Sequence, residues 1–157
     1  MVKEILSKRV QAIKPSGIRK FFDIAATMED VISLGVGEPD FPTPEPIRTA
    51  GIRSITEKGT RYTANSGLME LRRAISSYLE HRFTLEYDPQ DQVLVTVGGS
   101  EAVDLALRAV VDPGDEVLVP EPTFVSYAPL TIMAGGVPVP VPTYERDDFR
   151  LTAEAIR

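Results

Sequence analysis

The sequence predicts an α/β protein in which a mostly parallel sheet lies between helices, and three neighbouring stretches carry that prediction. Val93–Val97 is an apolar run rich in β-branched residues, suited to a strand buried on both faces. Gly98-Gly99-Ser100 breaks this strand and opens a helix with Ala102, Leu105, Ala106, Ala109 and Val110 on its core face. Asp112-Pro113-Gly114-Asp115 ends the helix and Glu116–Val119 resumes a strand, which together predict a βαβ crossover.

The remaining elements follow in chain order. Leu6, Val10 and Ile13 recur at helical spacing until Pro15 stops the run; Ile18, Phe21, Phe22, Ala25 and Met28 mark a second helix. Val31–Leu34 reads as a short strand entering the loop 35–44. Thr43-Pro44 starts a helix with Ile47, Ala50 and Ile55 inward, and Gly59 ends it. Leu68, Leu71, Ile75, Tyr78 and Leu79 mark a long amphipathic helix up to Arg82. Val137, Val139 and Val141 alternate with Pro138 and Pro140, an edge strand, because proline donates nothing to a ladder. A loop over 145–150 then leads to Thr152, an N-cap for a helix starting at Ala153.

The chemistry concentrates at the start of the Gly98-Gly99-Ser100 helix. Two glycines let the backbone turn sharply and approach a ligand, and Ser100 is placed to cap the helix. Free N–H groups and the helix dipole favour an anion there, by about 0.3–1 kcal/mol when exposed and about 2 kcal/mol when partly buried. That orients a phosphate without binding it tightly alone. One ligand with such a phosphate is a dinucleotide, and Glu121 stands about 20 residues beyond the glycines, where a ribose-binding acid belongs. The third glycine of the dinucleotide fingerprint is missing. The other is pyridoxal phosphate, whose flat ring an aromatic such as Phe124, after the next strand, would cover.

Composition bounds the rest. The 157 residues carry 43% hydrophobic side chains, a net charge of −6 and a pI near 4.9, which argues against a nucleic-acid surface. There is no cysteine, hence no thiolate metal site or disulfide framework, and no metal ligand set is expected. No apolar run reaches membrane length, and the opening is too charged for a signal peptide, so a cytoplasmic protein is expected. His81, the one histidine, follows Tyr78-Leu79-Glu80 late in a helix and is expected to be solvated.

Four stretches, in order, resemble the N-terminal part of a class I/II, fold-type I aminotransferase dependent on pyridoxal phosphate. They are Ser33–Phe41 (SLGVGEPDF); Arg61–Gly67 (RYTANSG) running into Leu71-Arg72; Val97–Ala102 (VGGSEA); and Pro113–Val117 with Pro122–Tyr127. The stretch Val10–Phe22 is similar to prokaryotic aspartate- and aromatic-type members. The resemblance implies the fold-type I large domain, incomplete here, with residues 1–38 as an arm associated with the small domain. Residues 39–157 would form the first half of the cofactor-binding domain.

It also implies roles. Gly99 and Ser100 hold the cofactor phosphate, with Glu101 adding a backbone N–H, and Phe124 stacks on the ring. Tyr62 reaches the phosphate held by the other subunit of a homodimer, and Gly37 leaves room for the substrate. The implied reaction moves an amino group from an amino acid to a 2-oxo acid. A lyase or decarboxylase of the same fold type, or a non-catalytic partner of the missing half, stays open. The family's Schiff-base lysine follows the phosphate cup, whereas Lys3, Lys8, Lys14, Lys20 and Lys58 all precede it. No catalytic residue is therefore assigned within this chain. A final helix of about one turn leads to the expectation of half a protein, inactive alone.

Overall fold

The computed structural model describes residues 5–15, 17–32 and 41–157, so the expected strand end at Ser33-Leu34 and Gly37 lie outside the described residues. It divides into two compact units, Gly17–Val95 and the combination of Met1–Ser16 with Thr96–Arg157.

In the unit Gly17–Val95 the elements are helical. Helix α2 (Ile18–Ala25) and α3 (Glu45–Arg53) occupy the predicted places, α3 with Pro44 as N-cap and Pro46 in its first turn, where a missing N–H costs nothing. A π-helical turn, Ser54–Lys58, extends α3 to Gly59, whose φ of 67° explains the glycine. Ile47 and Ile55, expected inward, are exposed, because no described element packs over that face. Helix α4 (Met69–Phe83) runs one residue beyond the prediction and ends on Thr84 in the left-handed region. Ile75 and Leu79 are half-buried, whereas Leu71 and Tyr78 of the expected apolar face are exposed. His81 is exposed near its end, its Nδ1 2.7 Å from the Ser77 carbonyl oxygen.

The other unit contains the sheet. Helix α1 (Lys8–Ala12) starts at Ser7, whose Oγ accepts the Val10 N–H. Helix α5 (Gly99–Val110) is followed by β1 (Glu116–Glu121), α6 (Tyr127–Ala134), β2 (Val137–Pro142), a 3-10 turn Glu145–Asp147 and α7 (Ala153–Ile156). Strands β1 and β2 pair in parallel, Leu118 opposite Val139, with α6 as their crossover. Flanking the ladder, Val137 N donates to the Asp115 carbonyl and Thr143 N to that of Glu121, both at 2.7 Å. The odd-numbered N–H groups of β2 thus face β1, and Pro138, Pro140 and Pro142 fall where an N–H would point off the edge. Val119 and Val141, each 4% exposed, form the centre with Thr131. The Thr131 hydroxyl is satisfied by the Tyr127 carbonyl at 3.0 Å.

Three expectations need correction. Val93–Val97 has no regular structure and pairs with no strand among the described residues, so the observed crossover is β1-α6-β2 and not one through α5. The Val95 N–H is engaged by the Ser66 carbonyl at 3.1 Å and the Val97 N–H by the Glu101 carboxylate, neither of them in a ladder. Helix α5 turns Val103 and Leu107 toward β1 and α6, leaving Ala102, Leu105, Ala106, Ala109 and Val110 exposed. Beside this face lies the Asp104–Arg108 pair, 2.8 Å apart at i,i+4 spacing; the Asp104 hydrogen bond and charge raise the Arg108 pKa above its usual value. Ser100 does not cap α5, since Gly98 holds the N-cap position and Ser100 sits inside the first turn. Thr152 does cap α7, its Oγ1 accepting the Ala155 N–H at 3.2 Å.

Candidate functional site

The first turn of α5 is built around Gly98. With φ 83° and ψ 171° it lies in a region essentially restricted to glycine, and the helix starts at the next residue. A Cβ at Gly98 or Gly99 would meet no heavy atom within 4 Å, so the space beside both is open. The N–H groups of Gly99, Ser100 and Glu101 precede the first intrahelical donor, Ala102 N to the Gly98 carbonyl, and have no protein acceptor among the described residues. Ser100 adds an exposed hydroxyl to the same turn.

Two side chains brace this turn. Thr96 Oγ1 donates to the Gly98 carbonyl at 3.0 Å, and the Glu101 carboxylate turns back to accept the Val97 N–H. Glu101 thus stands three residues after the N-cap, as in a capping box, with its side chain directed backwards and its N–H left to the open end. The spacing of Glu101 after Gly98 is the sequence signal for this brace, a role beyond the backbone N–H expected of Glu101.

Phe124 stands in the loop between β1 and α6. It is 52% exposed and makes an edge-to-face contact with Tyr127, ring centroids 5.7 Å apart at 81°. It borders a cleft of about 500 Å³ whose walls include Val119, Glu121, Thr123 and Ala128. Glu121 fixes the rim through its carbonyl, which accepts from Thr143 N at 2.7 Å and Thr143 Oγ1 at 2.8 Å. The residues of the α5 turn are not among the cleft's walls. Tyr62 belongs to the other unit, on an irregular loop with its ring fully exposed.

These residues fit a phosphorylated, flat cofactor. Open N–H donors at the start of a 12-residue helix suit a phosphate, and a half-exposed aromatic ring beside a cleft of this volume suits a small heterocycle. Among the described residues no group of histidine, cysteine or carboxylate side chains is arranged to hold a metal ion, and no helix is long and apolar enough to cross a membrane.

Comparison with known proteins gives the class. The family model for aminotransferase class I and II matches residues 29–157, and the chain belongs to that family. It is 58% identical over 148 residues to the putative aminotransferase YugH of Bacillus subtilis, covering 94% of this chain and 38% of the relative. It is 48% identical over 152 residues to an aspartate aminotransferase of Pyrococcus abyssi, covering 97% of this chain and 39% of that protein. The crystal structure of an aspartate aminotransferase from Thermotoga maritima superposes with a TM-score of 0.90 at 38% identity, over 96% of this chain and 41% of that one. The fold is that of fold-type I aminotransferases, of which the partial parallel sheet here is one portion. The chain spans about two fifths of the length of these relatives.

Proposed function

We propose that this chain carries the phosphate-holding and ring-covering part of a pyridoxal-phosphate-dependent aminotransferase. The observation that carries the proposal is the first turn of α5. Its three unpaired N–H groups open beside two glycines with free space around them, in a chain of the aminotransferase family. In this reading Gly99 and Ser100 receive the cofactor phosphate through their N–H groups and the Ser100 hydroxyl, and Glu101 adds its N–H while its carboxylate holds the turn in shape. Phe124 covers one face of the ring and, with the cleft, excludes water from it. Tyr62, exposed and unpaired with any ring of its own unit, serves the phosphate of a second copy in a homodimer. Gly37 leaves room for the substrate carboxylate.

Bound pyridoxal phosphate supplies an electron sink, the chemistry that moves an amino group from an amino acid to a 2-oxo acid. Residues 1–38 then act as the arm associated with the small domain, and 39–157 as the first half of the cofactor-binding domain, in a cytoplasmic enzyme. The test uses the complete natural chain that contains these residues, supplied with pyridoxal phosphate and a panel of amino acids. Conversion of the donor to its 2-oxo acid only when a 2-oxo acid acceptor is present supports a transaminase. Loss of carbon dioxide or cleavage without an acceptor would point instead to a decarboxylase or lyase.

A further inference from the structure

Phe124 is 52% exposed on the loop between β1 and α6, so the protein grips only part of its ring. The aromatic ring against it belongs to Tyr127, the first residue of α6, edge to face with centroids 5.7 Å apart at 81°. The same residue closes the turn that carries Phe124, its N–H donating to the Phe124 carbonyl at 3.2 Å. Tyr127 is itself held. Thr131, 1% exposed, donates its hydroxyl to the Tyr127 carbonyl at 3.0 Å. Tyr127 also borders an apolar space of about 250 Å³, which Val103 and Leu107 of α5 and Val117 of β1 line with it. Val103 lies about one turn along α5 from Gly99, so the partner of Phe124 is seated against the helix that opens with the unpaired N–H groups.

We propose that Tyr127 is a positioning residue for Phe124, holding the phenyl ring at the tilt in which it covers the cofactor and referring that tilt to α5. This rests on the assignment of Phe124 to the cofactor ring. Tyr127 is not among the walls of the cleft that Phe124 borders, so it acts on the cleft through Phe124. The positive edge of one ring meets the negative face of the other, and such a pair changes an equilibrium by about two- to tenfold. That favours one rotamer of a half-exposed side chain over its alternatives. Leucine at 127 keeps apolar volume beside Val103 and Leu107 but offers neither a ring edge nor a ring face; phenylalanine offers both.

The experiment compares Tyr127→Leu, Tyr127→Phe, Phe124→Leu and the Tyr127→Leu/Phe124→Leu double variant with wild type in the complete natural chain. Isotope-labelled phenylalanine reports the Phe124 rotamers in the ligand-free protein; titration gives the Kd for pyridoxal phosphate, and visible circular dichroism reports the setting of the bound ring. Ligand-free wild type is expected to hold Phe124 in one rotamer, Tyr127→Leu to let it average over several, and Tyr127→Phe to restore one. Tyr127→Leu is expected to weaken cofactor binding about fivefold and to reduce the dichroism, with Tyr127→Phe recovering both. The double variant is expected to bind no more weakly than Phe124→Leu alone, which a merely structural role for Tyr127 would not produce. Additive losses in the double variant overturn the proposal, as does a folded Tyr127→Leu protein whose Phe124 keeps the wild-type rotamer. Should Tyr127→Leu fail to fold, Tyr127→Met takes its place with the same outcomes, and rotamer averaging of Phe124 in wild type overturns the proposal without any variant. If wild type binds no pyridoxal phosphate, or Phe124→Leu leaves its Kd unchanged, the cofactor assignment fails. The ligand-free rotamer comparison then still decides whether Tyr127 positions Phe124.

Discussion

Gly98 and Gly99 are adjacent, equally open and opposite in what alanine does to them. At Gly98 an added methyl meets no atom within 4 Å, so sterics with neighbours contribute nothing and the cost is that of the backbone. Its φ of 83° with ψ of 171° is a conformation that an L side chain resists by about 1–3 kcal/mol. Gly98→Ala is therefore expected to lower unfolding free energy by about 1–3 kcal/mol. Gly99 begins the helix, where alanine is the better helix former, by up to about 1 kcal/mol. Gly99→Ala is expected to leave stability unchanged or slightly raised. Its methyl nevertheless enters the space beside the unpaired N–H groups, so pyridoxal phosphate should bind about tenfold more weakly, a loss of about 1.4 kcal/mol. Urea unfolding of the complete chain and its variants, paired with cofactor titration, separates the two effects. Equal destabilisation by both substitutions, or none by Gly98→Ala, would refute the argument.

Other substitutions probe the surroundings. Gly136→Ala would place its Cβ 2.8 Å from Val111 Cγ1 and 3.1 Å from the Asp115 carbonyl oxygen, and is expected to cost about 1–3 kcal/mol by thermal or chemical unfolding. Glu101→Gln should keep the bond to the Val97 N–H, whereas Glu101→Ala should cost about 1 kcal/mol and speed Val97 amide exchange. Tyr62→Phe, at a fully exposed ring, should leave the melting temperature unchanged and weaken cofactor retention only in the dimer, as checked by size-exclusion chromatography and cofactor titration.

The legible parts of the sequence were those fixed by local chemistry. Helix ends at Pro44, Gly59 and Thr152 follow from capping and turn residues, and the Asp104–Arg108 pair follows from helical spacing. Helix α6 was not read because Tyr127–Ala134 is apolar on every side and so lacks an amphipathic period. Pro129 concealed it further, although a proline in the first turn removes no intrahelical bond. The inward face of α5 was misjudged because periodicity marks several apolar stripes, and only packing against β1 and α6 selects Val103 and Leu107. Val93–Val97 has the composition of a strand, but pairing needs a neighbouring strand that composition cannot reveal. At the site, the glycines and Phe124 were visible as motif positions. The Glu101 brace depends on where its side chain turns.

The most direct measurement of the central claim is hydrogen exchange at the Gly99, Ser100 and Glu101 amides of the complete chain, with and without saturating pyridoxal phosphate. Phosphate alone and NAD serve as comparisons. Binding through the α5 turn predicts at least a tenfold slowing at these amides with pyridoxal phosphate, a smaller effect with phosphate and no greater effect with NAD than with phosphate. Saturation with pyridoxal phosphate that leaves these three amides exchanging at the ligand-free rate would contradict it.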